Sequence, residues 1–167
     1  VEIRVSLYNV PGRTVADLSN ETVQRLAQIP SRVGKKDATG GCGRGCELIA
    51  REPEGFAVYS GDDQTAVALM LMGGKGNVSV VANVAPRLIH DMCVAAINGD
   101  LVKARELHFR MLGLHRQLFC EANPIPVKWA CAQLGLAESG IRLPLTTLSK
   151  ECHDRVSTAM RQAGLIA

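Results

Sequence analysis

Short apolar runs alternate with stretches in which apolar residues recur every three or four positions, and the rhythm repeats four times. Residues 3–10 predict the first strand, and the helix after it starts behind Ser19, a good N-cap, with Val23, Leu26 and Ala27 on one face. Residues 32–38 form a second run, short and polar for a strand, leading through a Gly-rich turn to a helix that contains Cys46, Leu48 and Ile49. Residues 56–60 form the third, ending at Gly61-Asp62-Asp63, with Asp63 placed to cap a helix over 65–72. Residues 77–82 form the fourth, ahead of a helix from about Pro86, where proline fits the first turn.

Four strand–helix units with short loops imply a parallel sheet with right-handed crossovers. They make up half of an eight-fold barrel, a fold that takes about 250 residues; an open four-stranded sheet fits the pattern equally. Beyond the fourth unit the chain turns wholly helical. Leu101, Ala104, Leu107, Met111, Leu114 and Leu118 share one face of what reads as the longest helix. Asn123-Pro124-Ile125-Pro126 ends it, a helix over 127–134 follows, and a last one runs over 149–164. The chain therefore divides into four βα units over 1–98 and a helical region over 99–167.

Composition narrows the function classes. At 167 residues, 47% hydrophobic and 21% charged, the chain can bury one real core. A net charge of +3 with scattered Lys and Arg speaks against a nucleic-acid groove. No apolar run approaches the roughly 20 residues that span a bilayer. The sequence opens at Val1 with neither an initiator Met nor a secretory signal, and reads as a cut chain. Its six cysteines in a chain of this size read as reduced thiols of a cytoplasmic protein. Cys42 and Cys46 supply two metal ligands at most, and none of His90, His108, His115 and His153 is near enough in sequence to complete a set, so no metal is expected. The run Gly40-Gly41-Cys42-Gly43-Arg44-Gly45 lacks the Lys-Ser/Thr ending of a phosphate loop and reads as a helix-entry turn.

Several segments, in order and correctly spaced, point to one family. Leu7-Tyr8-Asn9-Val10-Pro11-Gly12-Arg13-Thr14 resembles the fifth strand and loop of dihydrodipicolinate synthases. Gly34-Lys35-Lys36-Asp37-Ala38-Thr39-Gly40 is similar to their sixth-strand motif, Ser60-Gly61-Asp62-Asp63 to the end of the seventh, and Ser79-Val80-Val81-Ala82-Asn83-Val84-Ala85-Pro86 to the eighth. Asn123 to Ala130 and Arg142-Leu143-Pro144 resemble the family's C-terminal helical region. Sialic-acid and keto-sugar-acid lyases share the strand-six lysine and the tyrosine; Arg13 and the Asn-Pro-Ile-Pro segment favour the synthase branch.

The resemblance implies the C-terminal half of a (β/α)8 TIM barrel followed by a helical region, with the site at the C-terminal strand ends. It implies a lyase of lysine biosynthesis that condenses pyruvate with aspartate semialdehyde. Lys36 would form the imine with pyruvate, and Tyr8 would relay protons to it. Arg13 would clamp the semialdehyde carboxylate with its planar fork of donors, and Gly61, Asp62 and Val78 would line the pyruvate pocket. Asn83 and Asn123 are weaker candidates with structural roles. No cofactor is implied, because the imine serves as the electron sink.

The chain also departs from the family. It lacks the first four strands, with their Gly-Thr-Thr-Gly-Glu segment and a second tyrosine supplied by a neighbouring subunit. Arg4, Ser6, Arg32 and Lys35 stand where the family has apolar residues. Strand alternation places Arg4 and Ser6 on the face of Tyr8, and Arg32 on that of Lys36, which suggests a partly exposed inner face. Lys35 points to the helices, where the pattern gives no reason for a charge. Exposed strand edges lead us to expect a homo-oligomer, or complementation by an N-terminal half, and little turnover by the chain alone. The rival readings are a non-catalytic half-barrel scaffold and another pyruvate-dependent lyase.

Overall fold

A computed structural model describes residues 3–167, which form two compact units. One comprises the chain up to Ser79 together with Cys93–Asp100; the other comprises Val80–Met92 and Leu101–Ala167. The first holds the parallel sheet: β1 (Val5–Asn9), β2 (Arg32–Asp37) and β3 (Ala57–Ser60), in the order β1-β2-β3. Between the strands lie α1 (Pro11–Thr14), α2 (Asn20–Ala27) and α3 (Cys42–Ile49), and α4 (Ala66–Leu71) follows β3. Ser19 caps α2 as expected, its side chain accepting the Thr22 N–H at 3.2 Å.

The register fixes everything above the sheet. Tyr8 pairs with Lys36 and Lys36 with Tyr59, so the three share one row on one face. Gly34 makes the β2–β3 approach possible, since a Cβ there would lie 2.5 Å from the Ala57 carbonyl oxygen. The register slips between Val5 and Ser6, where Arg32 pairs with Val5 and Gly34 with Ser6. That bulge interrupts the alternation expected to carry Arg32 onto the face of Lys36. Arg32 is half-buried and donates to the Ser31 hydroxyl at 2.9 Å, whereas Arg4, Ser6 and Tyr8 are exposed.

The fourth strand is much reduced. Its segment lies parallel to β3, with Lys75, Ser60 and Val78 N–H donating to the carbonyls of Val58, Gly76 and Ser60. Only Asn77 forms a bridge, to Ser60, and residues 81–83 curl into a 3₁₀ turn. The 3₁₀ turn, in which Val81 is buried, takes Val81 and Ala82, the last two residues expected in the strand. Behind the sheet, Val23, Leu48, Phe56, Val58 and Leu69 form the core, with Leu7, Leu18, Ala27 and Ile49 packed against it.

α5 (Pro86–Ile97) starts where Pro86 suggested and runs through the division between the units. The second unit is otherwise helical: α6 (Leu101–Arg110), α7 (Leu112–Gln117), α8 (Ile125–Gln133) and α9 (Lys150–Ala163). The single long helix expected over 101–118 is two helices, and α9, with 14 residues, is the longest. The break falls at Met111, whose N–H is shared between the Leu107 and His108 carbonyls. It brings Gly113 against α9, where a Cβ would sit 3.2 Å from that of Ala159. α9 ends at Gly164, whose φ of 76° suits the left-handed cap. The peptide bonds before Pro124 and Pro144 are cis, and all six cysteines are free thiols.

Because Leu48 is 1% exposed at the centre of the first unit's core, Leu48→Ala should destabilise the chain by about 3 kcal/mol. Urea unfolding would show this as a lower midpoint with unchanged slope.

Candidate active site

Parallel pairing places the C-terminal ends of β1, β2 and β3 side by side; β1 runs through Val10 into α1, and β2 and β3 end in Gly- and Asp-containing turns. Tyr8, Lys36 and Tyr59 lie just before those ends. The Lys36 ammonium sits over the Tyr8 ring, with Nζ 4.2 Å from its centroid, and Tyr8 is 53% exposed. A cation over an aromatic face is attracted by the ring quadrupole, which holds the lysine head against Tyr8. The stem of Lys36 rests on the backbone of Gly61, where a Cβ would meet Lys36 Cε at 2.7 Å and Ala38 Cβ at 2.9 Å. The Gly61 N–H in turn donates to the Asp37 carbonyl at 2.7 Å, which fixes the turn against β2.

The six residues expected at the site, Tyr8, Arg13, Lys36, Gly61, Asp62 and Val78, all fall in the first unit. Lys36 touches both Tyr8 and Gly61 as described. Arg13 lies in the one-turn helix α1 directly after β1. That turn ends at Val15, which is 95% exposed and holds a left-handed φ of 54°, an outlier for a β-branched residue. Val78 is half-exposed beside the end of β3. Asp62 is committed to the turn: its carboxylate accepts the Thr65 N–H at 3.1 Å and the Thr65 hydroxyl at 2.7 Å. The helix-capping role that the sequence suggested for Asp63 is not seen: the N-cap of α4 is Thr65, without a side-chain cap bond, and Asp62 secures the turn ahead of it. Asp63 is buried instead and accepts from the Asn77 side chain at 2.8 Å. In the second unit, Asn83 donates to the Val80 carbonyl at 3.0 Å and accepts the Cys131 thiol at 3.7 Å, a local structural role.

Beneath the row, on the opposite face of β2, lies a chain of charges that the sequence reading did not assemble. Lys35 is fully buried, with Nζ 2.7 Å from Asp37 Oδ2. Asp37 Oδ1 accepts both the N–H and the hydroxyl of Thr39, at 2.9 and 2.6 Å. Arg44 from α3 reaches Asp37 Oδ2 at 3.7 Å and Asp17 Oδ2 at 2.8 Å, and the other Asp17 oxygen accepts from the Asn9 amide at 2.8 Å. Burial alone would push the Asp37 carboxyl up, but the bonds from Lys35 and Thr39 outweigh it and hold the group below its ordinary value. Tyr59, the other neighbour of Lys36 in the row, was also overlooked. Opposite charges two positions apart at 35 and 37 signal the buried pair, and alternation within β3 places Tyr59 on the same face as Lys36.

This arrangement is the C-terminal half of a TIM barrel. The structure matches the crystal structure of a chloride-inhibited dihydrodipicolinate synthase from Acinetobacter baumannii complexed with pyruvate, with a TM-score of 0.96 and 52% identity over 99% of this chain and 57% of that one. It matches the synthase from Aquifex aeolicus at a TM-score of 0.95 and 39% identity, over the same shares. Residues 2–163 match the dihydrodipicolinate synthetase family, and the chain belongs to that family. Among curated relatives, the 4-hydroxy-tetrahydrodipicolinate synthases of Dechloromonas aromatica and an Azoarcus species are 65% and 64% identical over the full 167 residues. The chain spans 57% of the length of each.

The depressed Asp37 carboxyl ties stability to pH. A carboxylate whose folded value lies below its unfolded one contributes stability that is fully present above about pH 4 and lost as pH falls through the folded value. Unfolding free energy should therefore be flat on this account from neutral pH down to about pH 5 and drop below about pH 4. In Asp37→Asn that component of the acid loss should be missing, as urea titrations at a series of pH values would show.

Proposed function

We propose that this chain carries the imine-forming half of an enzyme that condenses pyruvate with L-aspartate 4-semialdehyde. The observation that carries the reading is the position of Lys36: at a strand end, half-buried, its Nζ against Tyr8 and its stem on Gly61. A similar synthase binds pyruvate in its crystal structure. In this reading Lys36 loses its proton and attacks the ketone carbon of pyruvate, and water leaves as the iminium forms. The iminium withdraws electrons from the methyl carbon, which gives up a proton and becomes the enamine that adds to the aldehyde of the second substrate. Tyr8, whose phenol both donates and accepts, moves protons at the imine nitrogen and the new alkoxide. Arg13 grips the semialdehyde carboxylate, while Gly61 and Val78 shape the pyruvate pocket and Asp62 holds its turn.

On this reading residues 1–98 supply the chemistry and 99–167 the helical region that supports assembly. A homo-oligomeric, cytoplasmic enzyme of lysine biosynthesis fits the family. No helix among the described residues is long and apolar enough to cross a membrane. Turnover calls for groups that the resemblance places in the N-terminal half, whereas imine formation rests on residues present here.

Incubation with pyruvate followed by borohydride should leave a reduced adduct on Lys36, seen by peptide mass spectrometry and absent from Lys36→Ala. Gly61→Ala should slow trapping at least tenfold, since the new Cβ overlaps the lysine stem. A folded chain with no adduct, alone or with a supplied N-terminal half, would favour the non-catalytic scaffold. Condensation with a sugar-acid aldehyde but not with aspartate semialdehyde would favour the other pyruvate-dependent lyases.

A further inference from the structure

The glycine-rich entry to α3 takes no part in imine formation, yet it carries Arg44, and Arg44 ends on the loop that bears Arg13. That loop leaves β1 at Val10 and returns at Asp17 and Leu18, where two side chains grip it. Asn9, the last residue of β1 and 2% exposed, donates its amide to Asp17 Oδ1 at 2.8 Å and accepts the Leu18 N–H at 3.1 Å. Arg44 donates to Asp17 Oδ2 at 2.8 Å and to the Leu18 carbonyl. Both oxygens of the Asp17 carboxylate and both backbone polar groups of Leu18 are thus taken, divided between the same two residues.

This clasp differs from an ordinary surface ion pair, which contributes little because two long side chains must be ordered for one contact. Here Asn9 is already fixed by the β1–β2 ladder, where it pairs with Asp37. Arg44 is held from α3 and α2: the Asn20 amide donates to the Arg44 carbonyl at 2.9 Å and to Glu47 Oε2 at 3.2 Å. Its Nε lies 3.7 Å from Asp37 Oδ2. The guanidinium presents its donors in a planar fork, which a lysine ammonium cannot imitate.

What the clasp closes is a short arch, residues 10–16, whose two ends meet at Asn9. Within it the Arg13 N–H donates to the Val10 carbonyl at 2.9 Å, and the Thr14 hydroxyl to that of Ala16 at 2.9 Å. Between Thr14 and Ala16 stands Val15, exposed and in the left-handed region. A β-branched residue keeps such a φ only where its surroundings over-determine it. The exposed Val15 side chain supplies no such restraint; the backbone bonds of the turn and the closure at Asp17 and Leu18 do.

We propose that Asn9, Asp17 and Arg44 form a clasp that closes the Arg13 loop, so that Arg44 is a positioning residue for the guanidinium that takes the carboxylate of the second substrate. The inference rests on the reading of Arg13 as that carboxylate's clamp. An ion pair that only stabilised the fold would lower the unfolding midpoint and leave carboxylate binding by the folded chain unchanged.

The test reads Arg13 on the chain itself. Phenylglyoxal modifies accessible guanidinium groups, and Arg13 is exposed, so peptide mass spectrometry can follow its labelling. Succinic semialdehyde, an aldehyde acid that stands in for the second substrate, should slow that labelling in the wild type. Asp17→Ala, a change at a half-exposed side chain, and Arg44→Met should each raise the half-protecting concentration about fivefold, the equivalent of about one hydrogen bond. Arg44→Lys keeps the charge but loses the fork, and should not restore protection. Hydrogen exchange at the Leu18 amide should quicken about fivefold in Asp17→Ala and Arg44→Met. Borohydride trapping of pyruvate on Lys36 in Asp17→Ala should stay within about twofold of wild type. Unchanged protection in either folded variant would overturn the proposal, as would full rescue by Arg44→Lys or a Leu18 amide that exchanges no faster. A wild type without protection would remove Arg13 from the carboxylate, and the positioning role with it. The two failures are separate, since one shows in the wild type and the other only in the variants.

Discussion

The parallel register between β1, β2 and β3 is the constraint on which the site depends. A slip of one residue turns every side chain of a strand to the other face, so the pairing of Tyr8 with Lys36 and of Lys36 with Tyr59 either builds the row or abolishes it. The bulge near Val5 and Ser6 is confined to the start of the ladder, and from Ser6 to Asn9 the pairing is continuous. Gly34 allows β2 and β3 to approach, and bonds past the formal strand ends, from Ala38 to Asn9 and from Gly61 to Asp37, extend the clamp into the turns. The core of Val23, Leu48, Phe56, Val58 and Leu69 holds the other side.

The two faces of β2 are chemically unlike. One presents Lys36 to an exposed, aromatic surface; the other inserts Lys35 and Asp37 into a region shared with Arg44, Asp17 and Asn9. A charge is tolerated in such a place only when paired and hydrogen-bonded, and Asp37 meets that condition with Lys35, Thr39 and Arg44. Asn9 ties this polar layer to β1, because it follows Tyr8, bonds Asp17 and accepts the Leu18 N–H at 3.1 Å. The backbones bearing Tyr8 and Lys36 are thus joined both by the ladder and by side chains behind it.

Much of this was legible in the sequence because it rests on local rules. Ser19 announces α2, Gly164 closes α9, and the alternation of apolar runs with helical stretches gives the parallel plan. The family likeness supplied Lys36 and Tyr8, and the structure places them in contact. What escaped depends on contacts between distant segments. The break at Met111 reflects packing of Gly113 on α9, which helical periodicity within 101–118 does not encode. The fourth strand shrinks to one bridge, although its apolar residues alternate like any other. The different roles of Asp62 and Asp63 turn on which carboxylate reaches Thr65 and which reaches Asn77, 14 residues from Asp63, and a local pattern does not encode that. Lys35 escapes the pattern because alternation gives its face but not its partner: the charge is accommodated by Asp37, two residues on and buried with it on that face.

The contact between Gly61 and Lys36 also bears on how such a site can vary by descent. A methyl group at position 61 would overlap the lysine stem and lie 2.9 Å from the Ala38 Cβ, so glycine there is imposed by both neighbours on β2 and its turn. Neither position is free to drift on its own. If the lysine were lost, only part of the pressure for glycine would go with it, because the Ala38 Cβ would still crowd a side chain at 61. A larger residue could enter only with a further adjustment at 38, and after that restoring the lysine alone would no longer restore the site.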